Sequence, residues 1–528
     1  MKINLNKLWI VAITLGWLFD FLFWRQAHGI NFAVFSTFCI IGALYFLLSE
    51  GFRPHRASLL LVVPIGFFAI VTFVRAEPLT TFLAYTFTLF LMAILATTYL
   101  GGRWFQYTIS DYVTKIFSLL GSIISYPFTL SIDICRARIK AGITPIKSHF
   151  WSVLRGITIA LPIVAMFTYL LASADLVFSQ KLVEFMNIFN AKNFSEYLWR
   201  LTYILAIGYG LAGVILHAAT LSTDEKLIGE DKPLLQPLLG FIESVIVLGS
   251  VVTLFTLFVV IQFQYLFGGE TNINVVGYTY SEYARKGFGE LVAVAFFALL
   301  MWLTLSTITK RESELLRRIF SGLGVALMVL VLVILVSAYQ RIALYEVVYG
   351  FSRLRIYTHV FLVWLALLLI ATIVLEILRR ERAFALAALL MASGFAISLP
   401  ILNVDAFIVQ QNLQRELLAT AANNVELDTR YFIHLSADAI PALVSMLQTP
   451  SLPEVAKEKL GIALACIRYR HEMNTRHYSW QSFHFAEVNT TRYLDMIKSE
   501  LDDKFIVIEH GNVVLTNTKE ISCDSSND

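Results

Sequence analysis

In "YSEYARKGFGELVAVAFF", residues 280 to 297, Arg285, Lys286 and Glu290 stand at the mouth of an apolar run. A carboxylate about one turn inside such a run needs a counter-charge, water or a proton. Lys286 and Glu290 are four residues apart, so a salt bridge closing the helix mouth is one reading. The order is the reverse of the favoured Glu-then-Lys arrangement, and a lysine at a helix start opposes the macrodipole. A second partner for Glu290 is therefore expected, with Gly287 and Gly289 leaving room for another backbone. The stretch "SAYQRIALYEVVYGFSRLRIYTH", 337 to 359, supplies candidates: Arg341, Glu346, Arg353 and Arg355, interleaved with Tyr339, Tyr345, Tyr349 and Tyr357. If 341 to 349 is helical, Arg341, Tyr345 and Tyr349 form one stripe, which Gly350 breaks or bends. Glu290 is expected to meet Arg341 or Arg353.

Such groups suit three kinds of chemistry. Acids, arginines and tyrosines between helices coordinate ions or relay protons. Arginines hold phosphate or carboxylate. Glu290 or Glu346 could act as a base on a lipid or cell-wall precursor. Further ionisable residues lie in or near apolar runs: Glu243 as an intramembrane acid, Asp20 near Arg25 or the headgroups, His217, and Glu376 paired with Arg379 or Arg380 at a span end. Catalytic signatures are missing. There is no GxxxxGK[ST] loop, no GxSxG elbow and no HExxH pair, so no catalytic residue is assigned. His471, His477 and His484 have no metal-site spacing and read as exposed or structural. Cys39, Cys135, Cys466 and Cys523 show no CxxC framework. Neither a metal nor a cofactor is expected. Unpaired thiols are expected for Cys466 and Cys523, with a disulfide between them open if the tail lies outside the cytoplasm.

The elements that must position these residues are membrane spans. Of the 528 residues 57% are hydrophobic and 15% charged, which excludes an ordinary soluble globule. The lipid bilayer is the expected solvent, and a formal net charge of +3 gives no reason to expect nucleic acid. About eleven runs are long enough to cross the bilayer. They fall near 8–24, 30–48, 58–74, 78–100, 151–172, 196–219, 237–267, 284–308, 316–339, 355–378 and 383–402. The first has no small-residue cleavage site and reads as a retained span. Two amphipathic stretches, 104 to 125 (with Asp111 and Lys115 an i, i+4 pair) and 178 to 189, read as helices lying along the membrane plane. The basic region from 126 to 150 reads as a cytoplasmic loop.

With the N-terminus in the cytoplasm, roughly nineteen Lys and Arg fall inside against about nine outside. That places the tail, the Arg285–Glu290 segment and the 337–359 connection on the outer face. The tail is polar and more acidic than basic. Leu427, Phe432, Leu435, Ile440, Leu443 and Leu447 suggest packed amphipathic helices with a start at Pro441. "FIVIEHGNVVL" alternates like a small hairpin. The expected divisions are a four-span segment at 1–102, an interfacial helix and basic loop at 103–150, a seven-span core at 151–402 and the tail at 403–528.

"YSEYARKGFGELVAVA", "AYQRIALYEVVYGFSRLRIYT", "NVDAFIVQQNLQR" and "LSADAIPAL" resemble, in order and spacing, successive motifs of a bacterial membrane family, domain of unknown function 4173, related to family 4153. The resemblance covers roughly residues 150 to 450. It implies an all-α polytopic protein of the bacterial inner membrane and no reaction. The expected role is signalling, scaffolding or assembly, with the tail meeting an extracytoplasmic protein or lipid partner. A transporter or channel-like permease is the alternative, followed by a lipid or cell-wall precursor transferase.

Overall fold

A computed structural model describes residues 3–140, 148–175, 177–182, 194–223, 227, 238–266, 288–310, 313–419, 429–450, 452–474, 479–508, 512–515 and 520–523. Among them, ten helices are long and apolar enough to cross a membrane. The helices are α1 (Leu5–Phe23), α2 (Ile30–Ser49), α3 (Arg56–Leu59), α4 (Val62–Val74), α5 (Pro78–Thr98), α6 (Ile109–Lys140) and α7 (Ser148–Ala174). They continue with α8 (Phe194–Thr220), α9 (Phe241–Leu266), α10 (Phe288–Ile308), α11 (Glu314–Tyr349), α12 (Arg353–Ile377) and α13 (Phe384–Leu402). All but α6 and α7 make up the ten, α3 and α4 together forming one span, Arg56–Val74. The chain is thus an all-α polytopic membrane protein in its bundle, as expected.

Loop contacts fix which helix ends share a face. On one side, the 24–30 and 75–77 turns, the start of α8 and the 350–353 turn meet one another or the tail. On the other, His55 N–H donates to the Tyr99 carbonyl at 2.8 Å, Gly101 N–H to Ser222 at 2.8 Å, and Leu238 N–H to Ile308 at 3.0 Å. Helix α5 ends on this far side, and α8 begins on the tail side. The chain between them must therefore cross an odd number of times. Helix α7, 27 residues long, has the length for it, although its fully described apolar part is only Ile159–Ala174. The expected eleventh span, near 151–172, falls on this helix.

Two corrections concern α6 and α11. The 104–125 stretch does not end where the basic region begins: α6 runs unbroken from Ile109 to Lys140 across most of the expected loop. It rests along α8 rather than on lipid alone, with Tyr209 Oη donating to the Ile124 carbonyl at 2.7 Å and Ser122 Oγ 2.8 Å from His217 Nδ1. Gly213 permits this, since a Cβ there would lie 2.6 Å from Ile123 Cα. The 337–359 connection is likewise mostly helix, because α11 continues to Tyr349 and α12 starts at Arg353. The helical Arg341, Tyr345, Tyr349 stripe and the break at Gly350, whose φ is +75°, are as expected. The amphipathic stretch from 178 lies mostly outside the described residues.

The bundle has two groups. Helices α1, α2 and α8 share one core around Leu8, Phe46 and Leu216, and α4 with α5 build another around Phe68 and Leu91. Helices α9 to α12 pack around Trp302, Phe320 and Leu365. Ala396 of α13 joins the α4–α5 core, linking the groups.

The tail has its own core. It comprises α14 (Val404–Ala419), α15 (Thr429–Ile433), α16 (Ile440–Leu447), α17 (Glu454–Asn474), α18 (Phe485–Met496), α19 (Lys498–Lys504) and strands β1 (Phe505–Ile508), β2 (Asn512–Leu515) and β3 (Glu520–Ser522). Phe432, Leu435, Ile440, Leu443 and Leu447 are all buried in it, and Pro441 opens α16. Leu427 lies outside the described residues. The strands form an antiparallel sheet in the order β1-β2-β3, with Ile506 opposite Val514 and Val513 opposite Ile521. The predicted hairpin is present, with a third strand. Cys466 and Cys523 are joined in a disulfide, correcting the expectation of free thiols.

Candidate functional site

The 350–353 turn is the centre of the polar network. Helix α11 leaves its last carbonyls without intrahelical partners. Arginines join them: Arg355 donates to the Tyr349 carbonyl at 3.2 Å and to that of Gly350, and Arg415 of α14 adds a donor at 3.1 Å to the Glu346 carbonyl, which also accepts the Gly350 N–H at 2.8 Å. The Arg355 guanidinium also lies 4.3 Å from the Tyr345 ring centroid, and the Tyr345 and Tyr349 rings meet at a tilt with centroids 4.6 Å apart. Asn412 reads the turn as a backbone would, accepting from Phe351 N–H at 2.6 Å and donating to its carbonyl at 2.9 Å. A side chain at Gly350 would strike these groups, 2.6 Å from Asn412 Oδ1 and Arg415 Nη1.

One residue on, Arg353 grips Asp405 with a two-pronged contact, Nε to Oδ1 at 2.7 Å and Nη2 to Oδ2 at 2.5 Å. Asp405 is fully buried and also accepts the Ser436 N–H at 2.7 Å. Tyr431 Oη accepts from the Arg353 N–H at 2.8 Å. Beside this pair, the 75–77 turn meets the tail directly. Asp438 Oδ2 accepts from Ala76 N–H at 2.7 Å and Glu77 N–H at 3.0 Å, with Arg75 at 3.7 Å. Glu77 caps α5 through Leu79 and Thr80 N–H groups and accepts from Tyr357 Oη. Burial pushes the Asp438 carboxyl above the usual aspartate range, against the opposing pull of the Ala76 N–H and Arg75. Burial likewise raises the Tyr431 phenol.

A second contact forms at the 24–30 turn, where Ala27 N–H donates to Ser482 Oγ at 2.9 Å and Ile30 N–H to the Phe483 carbonyl at 2.9 Å. The tail is thus held at 24–30 and 75–77 on one helix group and at 350–353 on the other. Its carboxylates face guanidinium and backbone N–H donors inside this seam, an arrangement suited to latching two bodies together. Among the described residues no group of His, Cys, Asp and Glu could hold a metal ion.

The candidates of the polar cluster divide accordingly. Arg285 and Lys286, with Gly287, lie outside the described residues. Glu290 is exposed in the first turn of α10, and among the described residues none lies within 4 Å of where a Cβ on Gly289 would sit. Of the two expected partners of Glu290, Arg341 and Arg353, the second is bound to Asp405. Tyr345, Tyr349, Arg353 and Arg355 surround the turn, while Arg341 stands one turn before Tyr345 on α11. Glu346 is buried and faces His359 Nδ1 at 3.2 Å across α12.

Other expected placements change. Glu243 is an exposed first-turn residue accepting the Gly240 N–H at 2.7 Å, a cap on the far side rather than an acid deep in the apolar layer. Asp20 pairs with Arg200, with Nη2 to Oδ2 at 2.5 Å, and with Tyr203, while Arg25 pairs with Glu196 at 2.7 Å. Glu376 accepts from Ser321 at 2.5 Å, and Arg379 pairs with Glu314. The spacing of neighbours in sequence misled here, because the partners sit on adjacent helices.

Asp438, Glu77, Arg75, Asn412 and Arg415 were not foreseen. Two signals pointed to them. "RAEP" sets a capping acid before a helix-initial proline, and "LSADAIP" sets Ser436 and Asp438 before another.

These spans define the chain as a multi-pass integral membrane protein. It belongs to the family described as Domain of unknown function (DUF4153), whose model matches residues 62–446. The family shown is therefore 4153 rather than the related 4173. The match begins at the third span, earlier than the resemblance suggested, and extends across the seam to the end of α16. No curated protein and no solved structure matches.

Proposed function

We propose that this protein is a signalling, scaffolding or assembly protein whose tail is its interaction module, held on the bundle by the ionic seam. The observation that supports this most is the buried Arg353–Asp405 pair. A carboxylate enclosed by a two-pronged arginine and a backbone N–H has its acceptor positions committed to the tail contact, leaving little for a substrate. The tail belongs on the outer face of a bacterial inner membrane, with the N-terminus inside. The excess of Lys and Arg in the opposite loops and the Cys466–Cys523 disulfide support that orientation. Its partner is an extracytoplasmic protein or a lipid. Crosslinked pull-downs of the full chain and of a chain lacking residues 403–528 test the reading. Partners should be lost with the tail while the spans still insert; unchanged partners would contradict it.

The permease reading keeps one specific support, the buried Glu346–His359 contact at 3.2 Å near the end of α11. Proteoliposomes of the full chain should show no substrate-dependent uptake or current across a broad panel. Uptake abolished by Glu346→Gln would favour transport.

A further inference from the structure

Four apolar side chains that the tail exposes lie on one short stretch. Trp480, Phe483, Phe485 and Val488 are 56%, 40%, 48% and 49% exposed. Their backbone is pinned to the bundle by the contacts at Ala27 and Ile30, and Gln26 Oε1 accepts from Ser482 Oγ at 3.2 Å. Gly29 lets the two backbones touch, since a Cβ there would lie 2.6 Å from the Ser482 carbonyl carbon. Ser482 Oγ and the Phe483 carbonyl thus bond inward to the bundle, and the four apolar side chains remain outside.

The neighbouring surface identifies what covers them. The Trp480 ring lies 6.2 Å from that of Phe21, which stacks on Trp17 at 5.8 Å. Both belong to the outward face of α1, a membrane span. Phe21 is two residues before the end of α1, roughly 3 Å along the axis, so Trp480 stands at the level of the span's end. Helix α18, which begins at Phe485, packs against α4, another span wall. The patch is continuous with the lipid-facing surface, at the depth where tryptophan and phenylalanine favour the bilayer interface.

We propose that Trp480, Phe483, Phe485 and Val488 form an in-plane membrane anchor, seated at the boundary between headgroups and acyl chains of the leaflet on the tail's side. The anchor depends only on the spans and does not rest on the interaction reading above. It would hold the tail flat against the bilayer while the seam fixes its register on the helices.

Single cysteines at positions 483, 485 and 488 of the full chain, labelled with an environment-sensitive fluorophore, test this in phosphatidylcholine–phosphatidylglycerol vesicles. Positions 455 and 473, exposed apolar sites on α17, serve as comparison, and the unsubstituted chain measures any labelling of the native thiols Cys39 and Cys135. Shallow nitroxide lipids should quench the three anchor probes roughly twofold or more beyond aqueous iodide, with the reverse at 455 and 473. Iodide quenching at 483, 485 and 488 equal to that at 455 would overturn the proposal. So would shielding from both quenchers, which would mean that a protein or a second copy covers the patch.

Discussion

Arg353 and Asp405 form a buried ion pair at the seam. Removing the guanidinium strands a buried carboxylate, which typically costs about 3–5 kcal/mol. Arg353→Ala is therefore expected to undock α14 to α16, read as lost hydrogen-exchange protection at 429–447 with the spans still protected. A paired Arg353→Met, Asp405→Leu change should restore most of that protection, because well-packed apolar replacements of a buried pair are often neutral. Asp438 gives a pH dependence of opposite sign to an ordinary salt bridge. Its folded carboxyl titrates above the ordinary 3.8, so its contribution is lost as pH rises through that raised value and is full below 3.8. The stability of wild type relative to Asp438→Asn should increase on acidification across that window. A difference that is flat or falls with acidification would show that Asp438 is not held in this way. Arg353 was legible in the sequence as a member of the polar 337–359 connection, but its partner was not. Glu290 and Asp405 are both acids beside apolar runs, and only the folding back of α14 brings one of them to the arginine.

At the scale of elements, apolar length and turn residues carried the reading. The spans, the Gly350 break, the Pro441 start and the 505–515 hairpin follow from local patterns that tertiary packing did not override. Helix α6 was underestimated because its charged C-terminal half looks like a loop, although the backbone continues as one helix from Ile109 to Lys140. Two elements make direct tests. Gly29→Ala forces a methyl into the Ser482 and Phe483 backbone and should cost about 1–3 kcal/mol of docking at 479–485, measured as faster local proteolysis or exchange. The Cys466–Cys523 bridge closes a separation of 57 residues, for which the chain-entropy model gives about 4 kcal/mol. Reduction should lower the melting of the tail and leave the spans intact, and unchanged tail melting would show that the core around Leu460 and Leu464 suffices alone.

For the whole molecule, the three seam contacts make the tail a strap across both helix groups, so undocking one end should loosen the relation between the groups without unfolding either. That arrangement was invisible to periodicity, since contacts such as Ala27 to Ser482 or Ala76 to Asp438 join residues hundreds of positions apart. The proposal that the docked tail is the interaction module is tested most directly by crosslinking mass spectrometry on intact membranes, comparing wild type with Arg353→Ala at equal expression. Partners attached to tail residues in wild type and lost from the variant are the predicted result; the same partners, attached elsewhere and retained by the variant, would contradict it.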